Sequence, residues 1–371
     1  MNKITKLGLL TFLISGALLA GCSSESDQSK GTEKNFEEET QTTDVKSDIS
    51  EAMEESIKFY FTANEGGSIS KIDASSNEVV ESIEVDGAVH NVQVSPDGKM
   101  LGATLVPAMN HGGEDTHGED SHGGSMEMKG QALFYDIETN KLQKTIEVGN
   151  HPAHIVFTED GKYALVTNNE DNNVSIIDMA TLTVIETVNT GKGPHGFRIS
   201  SDSQKAYIAN MAENTVSVLN LDSMKEEKRI TVGSAPVTTG ITSDGKVLVA
   251  TLNSENMLAI VDLSTDEVEK VEVGVGPAQV YIDENNQFAY VANQGTESNP
   301  SNTVSVIDLE SKKVTATIET GKGAHGVVSD GDRLYVTNMF ENTVTVIDTK
   351  QNKVIDTFEV GEVPNGISIT E

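Results

Sequence analysis

Tryptophan is absent from the 371 residues, and aromatic residues make up only 5% of them. The chain therefore has little with which to stack on a sugar or to cage a methylated amine, and only its tyrosines are left for such work. Basic residues are scarce too: 26 against 58 acidic ones give a formal charge of −32. Affinity for a phosphate backbone comes chiefly from Lys and Arg, so this balance works against nucleic acid and anionic headgroups and favours cationic ligands. A single cysteine, Cys22, excludes an intrachain disulfide and leaves stability to packing. There is no Cys-x-x-Cys-His for covalent haem and no Gly-x-Ser-x-Gly nucleophile elbow.

The N-terminal segment is the one long apolar stretch. Lys3 and Lys6 precede Leu7 to Ala20, which is too short and too rich in small residues for a stop-transfer helix, and Leu19-Ala20-Gly21-Cys22 follows. That tetrapeptide resembles the lipobox of bacterial lipoproteins. The resemblance implies that residues 1–22 are a signal peptide, that Cys22 carries the lipid, and that the chain faces outside the cytoplasm. Its only membrane attachment would then be through acyl chains. Residues 23–56, rich in Ser, Thr, Glu, Asp and Lys, cannot bury enough surface to offset their chain entropy and are expected to be a flexible acidic tether.

From residue 57 the chain repeats itself. The residues that end each Ile-Asp-type strand are Asp73, Asp136, Asp178, Asn220, Asp262, Asp308 and Asp348, spaced 63, 42, 42, 42, 46 and 40 apart. A period of about 42 with four strand-like runs per unit predicts an all-β, seven-bladed β-propeller over 57–371. Strands A to D of each blade run from the axis outward. The first blade lacks its own A strand, while Pro364 to Thr370 is an A-type strand without a blade, so the two termini are expected to share one blade and close the ring. The long first interval exceeds the period by 21 residues, the length of an insertion from Asn110 to Gly130.

Tyr290-Val291-Ala292-Asn293, Tyr335-Val336-Thr337-Asn338 and Tyr207-Ile208-Ala209-Asn210 each precede an Asn-Thr-Val-Ser/Thr-Val strand. These residues resemble the YVTN β-propeller repeat family over the whole of 57–371, with Pro107 and Thr251 taken to occupy the Asn position in the second and fifth units. The resemblance is specific for fold and says little about function. The repeated Asn and Asp are read as turn formers.

Histidine supplies the functional signal. Counting from the end of each D strand, the fourth and fifth residues place His90, His154, His195 and His325, with Asn91, Gln279 and Asn365, around the channel mouth. Met211 and Met339 each follow a B-strand Asn, on the B-to-C loops of the same face. The stretch from Val106 to Gly130, the insertion with the four residues before it, is a B-to-C loop that adds His111, His117 and His122, five carboxylates and Met109, Met126 and Met128. Imidazole with thioether suits copper, and imidazole with carboxylate suits zinc or Cu(II). A ring of hub histidines is also similar to the propeller of nitrous oxide reductase, although this chain has four rather than a full ring and no cupredoxin domain. Other similar seven-bladed propellers belong to haem-d1 nitrite reductases, so an enzyme or noncovalent haem protein is a third reading. The leading expectation is a lipid-anchored propeller that binds copper or zinc. The alternative is a surface scaffold for another envelope protein, without metal.

Overall fold

The computed structural model describes residues 58–108 and 129–370, all within one compact unit, Ser56–Glu371. Cys22, the 23–56 segment, His111, His117 and His122 lie outside the described residues. Twenty-eight strands form seven antiparallel four-stranded sheets, the blades of the propeller. The first blade joins Phe59–Asn64, Ser68–Asp73 and Val79–Glu84 to the C-terminal strand Pro364–Ile369, with Tyr60 opposite Ile369 and Thr62 opposite Ile367. The ends of the domain thus close the ring as the repeat count requires, and the C-terminal strand covers the edge that Phe59–Asn64 would otherwise expose.

Burial follows from how blades stack. Middle strands such as Tyr163–Asn168 and Asn173–Asp178 are covered on both faces by neighbouring blades, so they read as apolar runs rather than alternating ones. Outer strands such as Thr183–Asn189 are mostly exposed. Each gap between blades is filled by its own apolar cluster: Phe197 and Ile199 of the fourth blade meet Val156 and Leu165 of the third. At the closing gap Tyr60 and Ile72 meet Tyr335 and Val346, the two tyrosine rings 4.6 Å apart. In the C-to-D turns the Asp178, Asp308 and Asp348 carboxylates accept backbone amides three residues on, which makes these acids turn formers.

One irregularity recurs and positions everything at the channel mouth. The A strands Gly87–Val94, Pro152–Phe157, Pro194–Ile199, Pro236–Ile241, Pro277–Ile282 and Ala324–Asp330 each slip register against their B strand within the first few residues. The bulge removes a ladder acceptor, and a B-strand threonine replaces it. The Asn91, His154, Thr238 and Gly326 amides donate to Thr104, Thr167, Thr251 and Thr337. Gly196, just inside the fourth A strand, allows the fifth to approach, since a Cβ there would lie 2.1 Å from Thr238 Cγ2.

The pairing corrects two sequence assignments. Thr251 is the equivalent of Thr337, and Leu252, opposite Pro236 as Asn338 is opposite Ala324, holds the Asn position in the fifth blade. In the second blade Thr104 is the threonine, so Leu105, and not Pro107, is the Asn equivalent. Elsewhere that Asn reaches a C-strand hydroxyl, as Asn168 does to Ser175 and Asn338 to Thr345. Where it is Leu105 or Leu252, the hydroxyl is replaced as well, by Leu133 or Ala259 in the same apolar clusters. Polar pair and apolar pair exchange as units, since either half alone would strand a buried polar group.

Thr337 also donates to Asn365 O of the closing blade at 2.9 Å. Thr337→Val keeps the shape but leaves the buried Gly326 amide without an acceptor. It is expected to lower the unfolding free energy by about 1–3 kcal/mol, read as a lower urea midpoint at unchanged m value; an unchanged midpoint would show that the hydroxyl does not secure the closing blade.

Candidate metal centre

Of the four channel histidines, three come together: ligand-capable nitrogens of His90, His154 and His195 all lie within 4.8 Å of one another. They belong to the second, third and fourth blades, which are consecutive around the ring. His154 and His195 fall inside the bulges of their strands, where no ladder pairing fixes the side chain to one face. Val156 and Phe197, two residues further along each strand, share the cluster between the third and fourth blades, and the rings of His154 and His195 meet above it with centroids 5.1 Å apart. His90 completes the group at 5.1 Å from His195 and 5.9 Å from His154.

The hydrogen bonds settle the state of each ring. His90 Nδ1 lies 2.7 Å from Glu65 Oε1, which also accepts the Asn365 amide at 2.7 Å. Burial opposes the Glu65 charge, but the His90 and Asn365 hydrogen bonds and the nearby imidazoles outweigh it and hold the carboxyl down to about 2. An ionised carboxylate can only accept, so His90 Nδ1 carries the proton. His195 Nδ1 faces Val237 O at 3.2 Å, another acceptor-only group, and carries its proton for the same reason. In the neutral rings both Nε2 atoms are therefore bare lone pairs, yet they face each other at 3.2 Å. Such a contact calls for a cation between the two nitrogens, a proton or a metal.

His154 sharpens the choice. It is 1% exposed, and neither ring nitrogen has a hydrogen-bond partner. Burial first, then the charges of His195 and His90, depress its proton affinity well below the usual histidine range, and His195 is depressed likewise by burial and by His90. A neutral, unpartnered imidazole is an exception to the rule that buried polar atoms are paired, and it is the form that ligates metal.

The remaining sequence candidates are placed differently. His325 is buried on the seventh blade beside Gln279, at 3.4 Å, and is not one of the three. Val237 and Ala278 stand at its register on the two blades between it and His195, and on its other side the first blade, with Asn365, stands between it and His90. Met339 Sδ accepts the Gln294 amide at 3.2 Å, a packing role, and Met211 is a half-buried residue of its B-to-C turn. Sequence reading missed Glu65. It follows Asn64 of the first B strand as Met211 follows Asn210 and Met339 follows Asn338, so one register carries a carboxylate in the first blade and thioethers in the fourth and seventh.

Residues 135–371, more than half of the chain, match the model of the YNCE-like beta-propeller family. The chain belongs to that family. Among solved structures this YNCE-like propeller is similar to Kuenenia stuttgartiensis hydrazine synthase, with TM-score 0.64 and 20% identity over 76% of this chain and 89% of that one. It is also similar to the dihydro-heme d1 dehydrogenase NirN in complex with DHE, with TM-score 0.59 and 13% identity over 83% of this chain and 74% of that one. Both likenesses are of fold. No curated protein matches the sequence.

Acid should unfold the metal-free protein in two windows. Burial, with the His90 charge added, holds His325 down to about 4 from an ordinary 6.5. Below pH 6.5 the unfolded chain binds a proton that the folded ring refuses, so stability is whole above that pH and falls toward pH 4. One such group contributes a slope of about 1.4 kcal/mol per pH unit. The lowered Glu65 carboxyl adds a loss between its ordinary 4.5 and about 2. Denaturation at stepped pH should show the decline, and His325→Gln should reduce its slope between pH 6.5 and 4; a variant with the parent's slope would mean that His325 charges freely in the fold.

Proposed function

We propose that this YNCE-like propeller binds one copper or zinc ion through His90, His154 and His195, with Glu65 orienting His90 from behind. We further propose that the lipid on Cys22 holds this site outside the cytoplasm. The observation that carries the reading is the pair of Nε2 atoms facing each other at 3.2 Å beside a buried histidine with no partner. Ligand nitrogens at about 2.0–2.1 Å from a tetrahedral ion stand about 3.3–3.4 Å apart, so His90 and His195 are already near the ligating separation. His154, whose ligand nitrogen lies within 4.8 Å of the other two, would supply the third position. Three neutral imidazoles suit copper and zinc better than calcium or magnesium, which prefer oxygen. A carboxylate on the far nitrogen of a ligand histidine fixes its tautomer and raises its basicity, which is the part Glu65 plays.

The insertion supports the same reading. It links Pro107 to Gln131 in the blade that carries His90, at the channel-mouth end of the sheet, and brings three histidines and five carboxylates. In a chain of charge −32 such a loop concentrates cations near the mouth.

Tag-free protein titrated separately with Cu(I), Cu(II) and Zn(II) should take up one tightly held ion and melt at a higher temperature. His154→Ala combined with His195→Ala should abolish that ion, Glu65→Gln should weaken it about 10- to 100-fold, and deletion of 110–130 should remove only weaker sites. Unchanged stoichiometry and affinity in the double variant would reject the metal centre and leave His90 and His195 sharing a proton.

A further inference from the structure

The opposite end of the channel, at the A-to-B turns, opens into a cavity of about 620 Å³. Its wall mixes apolar residues, Ile282 and Ile367 among them, with polar ones such as Gln93, Ser329 and Ser368, and one guanidinium, Arg198, is set into it. Arg198 lies on the same A strand as His195, three residues further along. It is one of only three arginines in the chain. The other two serve the outside of the blades: Arg229 bonds Glu226 and Glu213, and Arg333 donates to Ala74 O. Arg198 shows a single bond, from Nη1 to its neighbour's carbonyl, Phe197 O, at 3.0 Å. Burial works against its charge, and the fields of Tyr281 and Glu159 sustain it.

A charged fork with five donors inside a cavity of this size is built to be met by a planar acceptor. The walls decide which kind. A cavity of roughly 300–1,000 Å³ suits a small organic molecule, and the apolar part of this mixed wall can take a short hydrocarbon body. Glu159, Asp283, Glu284 and Asp330 surround the opening, and in a chain of charge −32 they repel phosphates and polyanions more than a single negative charge. We propose that this cavity binds a small monocarboxylate with an apolar body, its carboxylate on the Arg198 fork and its hydrocarbon against the channel wall. The proposal is independent of the metal reading, since it uses none of the three histidines.

Phenylacetate, the uncharged phenylacetamide and inorganic phosphate serve as probes, titrated calorimetrically at millimolar concentration into the full chain. Phenylacetate should bind saturably, at one site, more tightly than either of the others. Arg198→Gln should weaken it about tenfold or more, whereas the His154→Ala, His195→Ala protein should bind it as the parent does. If Arg198→Gln fails to fold, Arg198→Lys, which keeps the charge and loses the planar fork, is read instead and should still weaken binding. No binding of phenylacetate, equal binding of phenylacetamide or phosphate, or undiminished binding by the folded Arg198 variant would each overturn the assignment.

Discussion

A ring of blades holds only if its gaps are bridged, and at four of the seven gaps the bridge near the channel mouth is one hydroxyl. Thr104, Thr167, Thr251 and Thr337 each take an amide freed by the bulge in their own blade and donate to a carbonyl of the next, Ala153, His195, Ala278 and Asn365. Between the fourth and fifth blades, where the B strand offers Ala209, the direction reverses and Thr239 donates back to Tyr207 O. The site depends on this stitch directly. Thr167 Oγ1 accepts the His154 amide at 3.0 Å and donates to His195 O at 2.7 Å, so one side chain ties the backbones of two of the three histidines to each other. Precision of this kind belongs to rigid strands and not to loops, which is what a preorganised ligand set needs.

Much of this was legible in the sequence because propeller blades repeat. The period gave seven blades and the shared one, and two adjacent registers brought all four channel histidines to one mouth. Their order around the ring was legible too, and it bears on the outcome: His90, His154 and His195 sit on successive blades, while the first blade, with Asn365, stands between His325 and His90. What the period could not supply was the tilt of each side chain. That depends on bulges, and a bulge shifts register by one residue without leaving a mark in spacing. The same slip explains the misplaced Asn equivalents, since counting back from a turn lands one or two residues away from the paired partner in the blades where Leu105 and Leu252 stand.

Glu65 and Arg198 escaped for a different reason. Each occupies a register that repeats in other blades with another residue type, Met211 and Met339 in one case, Gln93 and Tyr281 in the other. A search by residue type passes over such positions, whereas a search by register would have reached them. In a repeat protein the informative question is which chemistry each structural position carries around the ring.

The two ends of the channel then carry opposite chemistry on one strand. His195 lies at the mouth where Glu65 stays ionised and imidazoles converge, and Arg198 lies three residues on, where the channel widens into the cavity and a fixed positive charge takes over. The Arg198 charge is among those that disfavour a proton on His154, after burial and its two neighbours. Converging neutral imidazoles and an inward-facing guanidinium each cost stability that no contact within the site returns. The ring sustains them because the backbone of each A strand is fixed from both sides, by its own B strand and by the neighbouring blade, so relieving one side chain would mean opening a gap that seven apolar clusters and the threonine bridges hold closed.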